Sequence, residues 1–474
     1  MNPDSNTATD RQHAVAIGLL PIMRIVGQPL RWTVDERLAH YVCPGVAIAA
    51  MRSGRIDWAA GYGRRVVNGA AACDADTVFM VASCSKPVAA MVVLQQVERG
   101  LLDLDADVNT YLRRWQVPSN EFSTATPVTL RHILSHSAGL TVNGFGVVPR
   151  DGRPVATELD LLEGRPPSDQ PPVIVDKHYD GTDRYSGGGY VIAQLVVEDV
   201  LQRSFDSVAD EMIFTPLGMS RTTYTQPLPG RLHDNVASGH GDDGREQAGG
   251  WMISSEKAAG GLFSTARDYA AFLLACRAAY HGEAGAILGR SLAVQMMTRH
   301  DKGVFGLGIR VLGDGPSRYI NHGGSNDGYQ SETNCFLDSG DGGVVLTNAT
   351  SGLFLWKEVL NGMADVYDWP DYMPEPKVLR TMSAVEMSNL AGSYRIVSGI
   401  ELPVINVWAD NGRLYSEIPG LRFGVQETFC DADGVLFNQA GPYETTVTFG
   451  DDGRATELRV FEGANQIMRA VRTD

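Results

Sequence analysis

The stretch FMVASCSKPVAAMVVLQQVERG, residues Phe79–Gly100, decides how the rest of the chain is read. From Pro87 it is an apolar run that ends at Gly100, and proline is tolerated in a first helical turn, so a helix is expected to begin near Ser83. Ser83 and Lys86 then stand at i and i+3 on one helical face, close enough to touch. A serine hydroxyl attacks poorly until a neighbour takes its proton, and an amine withdrawn from water gives up its charge more readily, so it can be that neighbour. The helix start adds free backbone N–H groups and partial positive charge where an oxyanion would form. Serine and lysine at this spacing also arise by chance in most long chains, so the tetrapeptide alone does not establish chemistry.

Two later stretches bear on it. In DRYSGGGYVIAQLV, residues Asp183–Val196, Tyr185 precedes three glycines and a helix, in a loop from which its hydroxyl can project into a cleft. In YINHGGSNDGYQS, residues Tyr319–Ser331, His322 ends an expected strand and is followed by Gly323, Gly324 and Ser325. Two glycines there allow close backbone approach to an extended ligand. Taken singly, a loop tyrosine is more often a packing residue and a lone histidine more often structural.

The surrounding pattern supplies the scaffold. In CPGVAIAAMRSGRIDWAAGYG, two apolar runs flank Ser53-Gly54 and read as a β-hairpin. From about Thr77 to Tyr367 the spacing is mainly helical, as in TLRHILSHSAGL and ARDYAAFLLACRAAY. Strands return in SRYINHGG, YQSETNCFLD and GGVVLTN. The expected fold is mixed α/β, in α+β arrangement: one antiparallel sheet flanked by helices, with a mainly helical second lobe. The boundaries read as an N-terminal extension (1–31), a main domain (32–370), a proline-rich linker (371–384) and a C-terminal domain (385–474) of short strands separated by Gly, Asp and Asn turns. That rhythm suits a small β-barrel or sandwich.

Bulk properties narrow the functions. The 474-residue chain carries a formal net charge of −16, which argues against nucleic acid or an anionic membrane as partner. No apolar run approaches the roughly 18 residues of a membrane span. The apolar patch Ala14–Ile22 lacks a basic flank, so no signal peptide is read and a cytoplasmic location is expected. The six cysteines lack metal or disulfide spacing, and neither HGDDGREQ nor DADG forms a ligand set, so no metal or other cofactor is expected. His132 and His136, at i and i+4, lack the glutamate of a zinc-helix motif and read as structural.

Together, Ser83-x-x-Lys86, Tyr185 about a hundred residues later and His322-x-Gly324 resemble the penicillin-recognising serine hydrolases, the group of class C β-lactamases, penicillin-binding proteins, D-peptidases, D-amino-acid amidases and related esterases. GYGRR, GLLDLDADVNTYL, FTPLGMSRTTY and GGLFSTARDYAAFL add local similarity between Trp32 and Trp369. The resemblance implies that Ser83 is acylated, that Lys86 and Tyr185 share its proton, and that His322 opens the third motif. It also implies an oxyanion hole from the backbone N–H groups of Ser83 and Ser325. Gly187, Gly323 and Gly324 would line the substrate site, with Trp251 from the loop GGWMISSEKAAGG. The C-terminal domain resembles the lipocalin-like barrel of some members.

Two departures modify the expectation. The family pattern is Tyr-x-Asn, but here position 187 is glycine, so an amide that would hold the substrate carbonyl and the lysine is missing or comes from elsewhere. His322 stands where class C β-lactamases have lysine, and a mostly neutral imidazole holds a substrate carboxylate less firmly. Both favour small esters or peptide amides over β-lactams. Cys84 and Ser85, off the Ser83–Lys86 face, read as packing residues. The leading function is a serine hydrolase acting through an acyl-enzyme on a small molecule or peptide; a homodimer is allowed. Acyl transfer or peptide cyclisation would use the same residues, and a sensor without turnover is the non-enzymatic reading.

Overall fold

The computed structural model describes residues 7–473 except 422 and 423. The chain divides into two compact units, one built from the residues up to Ala16 and Thr33–Asp371, the other from Ile17–Trp32 and the residues from Tyr372 onward. The first 31 residues are thus shared between units, not one extension. Helix α1 (Ala8–Ala16) belongs to the first unit, where Arg11 pairs with Asp57 at 2.5 Å. Met23 and Ile25 belong to the second, where they pack with Phe437.

The sheet of the first unit is antiparallel, in the order β2-β1-β8-β7-β6-β5. The expected hairpin is β1 (Gly45–Arg52) and β2 (Arg55–Gly63), and the expected later strands are β6 (Tyr319–Asn326), β7 (Tyr329–Phe336) and β8 (Gly342–Thr347). A three-residue edge strand, β5 (Arg310–Leu312), completes it, and the short pair β3 (Phe79–Met80) and β4 (Phe263–Ser264) lies outside. Every residue of β7 and β8 is buried, as strands covered on both faces require.

Helix α2 (Val34–His40) opens on Thr33 in a capping box with Glu36. Helix α3 (Ser85–Glu98) is buried at every position from Ser85 to Gln96, so it runs through the protein rather than over it. It packs against α4 (Gly187–Leu201) and the single turn α5 (Lys257–Gly260). Helix α6 (Ala266–His281) packs on β1, β2, β7 and β8, and α7 (Leu353–Tyr367) packs on β7 and β8. A buried ion pair, Arg37 Nη2 to Glu358 Oε1 at 2.6 Å, joins α2 to α7, and Tyr41 donates to the same oxygen. No helix among the described residues is long and apolar enough to cross a membrane.

The second unit is a closed barrel of eight strands, in the order β10-β11-β12-β13-β14-β15-β16-β9. The strands are β9 (Gly392–Ser398), β10 (Val404–Asp410), β11 (Arg413–Glu417), β12 (Gln426–Cys430), β13 (Leu436–Phe437), β14 (Tyr443–Phe449), β15 (Ala455–Glu462) and β16 (Asn465–Arg472). Seven fall on short strands of the kind expected between the Gly, Asp and Asn turns of the sequence. The eighth, β16, pairs with both β15 and β9 and so turns an open sheet into a barrel. Inward residues such as Tyr394, Ile405, Leu414, Leu458 and Met468 form its core, and helix α8 (Ala384–Leu390) adds Met387 and Leu390.

Candidate active site

Ser83 lies in a 3₁₀ turn, Ala82–Cys84, just ahead of α3. Ala82 has φ +48°, an uncommon conformation for a residue with a side chain, so this turn is held by its surroundings. Ser85 does much of the holding: its buried hydroxyl donates to Ala82 O at 2.5 Å and accepts from Leu262 N–H at 2.9 Å. It is therefore a polar anchor and not the packing residue the sequence suggests. Cys84 is fully buried, its Sγ 3.2 Å from His322 O, and burial pushes its thiol up to about 12. A protonated, enclosed thiol is no nucleophile.

Ser83 alone of these three is half-exposed. Lys86 is 2% exposed, and its Nζ donates to Ser83 Oγ at 3.2 Å and to Ala259 O at 2.6 Å. The face of Tyr185 lies over the same Nζ, 4.8 Å from the ring centroid, with Tyr190 at 5.5 Å. Tyr185 is set by its neighbour: Ser186 caps α4, accepting from Gly189 N–H and donating to Thr141 O at 2.7 Å.

His136 was read as structural, yet its ring stacks on Tyr185 with centroids 4.2 Å apart. A left-handed turn, φ +58°, carries it there, and the helical spacing of TLRHILSHS gives no sign of that turn. Its Nδ1 accepts from Ser186 N–H at 3.1 Å, which leaves the proton on Nε2. His322 lies 6.4 Å from Tyr185 between centroids, fully buried, with Nδ1 2.7 Å from Gly323 O. A carbonyl only accepts, so Nδ1 carries the proton. Burial holds both imidazoles well below their usual value, with Lys86 and Arg310 adding to the effect, so both are neutral.

The glycines of the third motif let strand β6 press against the serine turn. A β-carbon at Gly324 would stand 3.0 Å from Ser83 N and would collide with Val81 O and Ser331 Oγ. Residue 325 follows directly and pairs with Gln330 in the β6–β7 ladder. Edge strand β5 pairs only with residues 319–321 of β6, so β5 does not cover the segment from His322 to Asn326. Gly323 sits against Glu332, whose carboxyl accepts from Asn321 Nδ2 at 2.5 Å.

Gly187 is buried at the first turn of α4, its N–H donating to Asn143 O at 2.8 Å. A β-carbon there would lie 2.7 Å from Asn143 O and 3.1 Å from Glu256 Oε2. Glu256 was not singled out in the sequence, since nothing in its spacing marks it. Burial pushes its carboxyl up to about 7, against the pull of Lys86. Trp251, from the same loop, is buried against Phe263 and His233, with the Arg150 guanidinium 3.6 Å above its ring. The structure thus brings Ser83, Lys86, Tyr185, His322 and Gly324 together, with His136 and Glu256 beside them.

Comparison with known proteins fits this arrangement. The family model described as Beta-lactamase matches residues 30–365. Penicillin-binding protein 4* of Bacillus subtilis is 23% identical over 84% of this chain and 88% of its own length. Among solved structures, an octameric penicillin-binding protein homologue from Pyrococcus abyssi superposes with a TM-score of 0.61 at 19% identity, covering 93% of this chain and 98% of that one. A D-amino acid amidase from Ochrobactrum anthropi gives 0.59 at 20% identity, covering 76% and 98%. The last two share the fold, and the first runs alongside this chain for most of its length. With the family model spanning both the serine turn and the third motif, the chain belongs to the Beta-lactamase family, the serine beta-lactamase-like hydrolases.

Proposed function

We propose that the protein hydrolyses amide or ester bonds of small substrates, D-amino-acid amides and peptides among them, through an acyl-enzyme on Ser83. The observation that carries the reading is the contact between a buried Lys86 amine and the half-exposed Ser83 hydroxyl at 3.2 Å. In the first step Ser83 Oγ bonds to the substrate carbonyl carbon while its proton passes to the Lys86–Tyr185 pair. The carbonyl oxygen takes the negative charge and meets the backbone N–H groups of Ser83 and residue 325. The tetrahedral centre then expels the amine or alcohol, which takes the proton back. Water repeats the sequence on the ester and frees Ser83.

The choice of substrate rests on charge. A neutral His322 presents no cation to a substrate carboxylate, and Gly187 presents no amide, so a β-lactam with its carboxylate is held weakly. The amidase named above acts on amides of this kind, whereas the penicillin-binding relative is named for a β-lactam.

The test is intact-mass analysis during turnover of p-nitrophenyl acetate, a D-alanyl amide and nitrocefin. An acyl adduct on Ser83 that forms and decays is expected with the first two, with nitrocefin turning over slowly. Ser83→Ala should remove both adduct and turnover; unchanged turnover in that variant would exclude the mechanism.

A further inference from the structure

Lys86 poses a problem of charge. It is 2% exposed, and its hydrogen-bond partners are a carbonyl and a hydroxyl, both neutral. Whenever it is protonated, and above all when it takes the Ser83 proton, it holds a full positive charge away from water. Such a charge is costly unless an opposite one lies near. The two imidazoles beside it cannot supply that charge, being neutral, and Arg310 is itself positive.

The space beside Gly187 resolves this. Glu256 is 5% exposed, and its Oε2 lies where a side chain at position 187 would begin, 3.1 Å from the missing β-carbon. That oxygen has no hydrogen-bond partner, while the Phe145 backbone N–H holds the carboxyl from the other side. Glu256 also heads the turn of α5 and accepts from Ala259 N–H and Gly260 N–H through its own carbonyl. The residue that holds Lys86 through its carbonyl, Ala259, is thus three positions from the acid. Lys257, on the same turn, is occupied by Asp206 at 3.4 Å.

We propose that Glu256 replaces the side chain absent at Gly187, as a positioning residue whose carboxylate balances the charge on Lys86 when that amine takes the serine proton. The proposal rests on reading Ser83 and Lys86 as the reacting pair. It follows that the acid is needed in its ionised form. Its raised value, about 7, places that ionisation across neutral pH. The ionisable groups around the pair are Tyr185 and Tyr190, His136 and His322, with Arg310 beyond them.

The experiment combines a pH–rate profile with a titration that needs no turnover. For p-nitrophenyl acetate, kcat/KM of the unaltered enzyme should rise through about pH 7, and Glu256→Gln should lack that rise. The variant should be about tenfold slower at pH 8 and within twofold at pH 6. A Glu256→Gln profile that tracks the unaltered enzyme within twofold from pH 5.5 to 9 would overturn the proposal. Separately, the Glu256 carboxyl carbon should titrate near neutral pH by NMR, and its midpoint should move upward in Lys86→Met. An unmoved midpoint, or one in the ordinary carboxylate range, overturns the coupling, whether or not Glu256→Gln folds. If Ser83 takes up no acyl group while the midpoint still moves, the hydrolase reading fails and the charge pairing stands.

Discussion

His322 and His136 show how burial, with Lys86 and Arg310 nearby, sets protonation. Both rings are fully enclosed, and each has a nitrogen without a hydrogen-bond partner, so the charged form has nothing to gain from the fold. The sign of the pH effect follows. A folded value below the unfolded one, about 6.5, means that the unfolded chain binds more protons as pH falls. Stability is therefore kept above that pH and lost below it, by up to about 1.4 kcal/mol per pH unit for each histidine. The urea midpoint of the unaltered protein should fall more steeply between pH 6.5 and 5 than that of His322→Gln, and parallel slopes would show that the ring protonates in place. At this scale Ser83 and Lys86 stood out by their helical spacing, while Tyr185 and His322 were singled out only through the resemblance to the family's motifs. His136 and Glu256 were not. One enters through a left-handed residue and the other through a loop, and neither leaves a periodic trace.

Among the elements, the junction of the serine turn with β6 carries the tightest geometry. The turn is fixed by Ser85 from within and by Ser331, which donates to Val81 O at 2.9 Å, from the sheet. Gly324 lies between them with no room for a methyl group. Gly324→Ala should push strand and turn apart, displacing the backbone N–H groups proposed to hold the oxyanion. A loss of esterase kcat/KM of about tenfold or more is expected, with a lower melting temperature. An active, equally stable variant would mean that the strand can retreat at no cost. The hairpin, the three later strands and the helices were visible in the sequence because their apolar periods are long enough to repeat. Strand β5, with three residues, is too short for any period to show. The last barrel strand, in NQIMRAVR, was hidden by exposed Asn465, Gln466 and Arg469, since only Met468 and Ala470 are buried. One missed strand separates a sandwich from a barrel, which is why the sequence left both open.

For the molecule as a whole, the path of the chain matters more than either unit alone. Ile17–Trp32 is part of the barrel unit although it lies between α1 and α2 in sequence, so the backbone passes from one unit to the other three times. Its bonds are specific: Val26 N–H donates to Lys377 O, Lys377 N–H to Arg24 O, and Gln439 to Met23 O. A chain ended at Asp371 would leave Met23 and Ile25 without Phe437, their apolar partner. Such a truncation should yield less soluble protein and bind more of a hydrophobic dye, and Met23→Ser with Ile25→Ser should reverse part of both. A truncated chain as soluble as the full one would show that the segment finds other cover. The same arrangement bears on synthesis. Arg24 Nη2 donates to Pro374 O across 350 residues. At about 5–20 residues per second, Met23 and Ile25 are made roughly 20 to 80 s before Phe437, the apolar side chain they pack against. For that interval the side chains of Met23 and Ile25 lack Phe437 to bury them, which makes the nascent chain, rather than the finished protein, the species most exposed to aggregation.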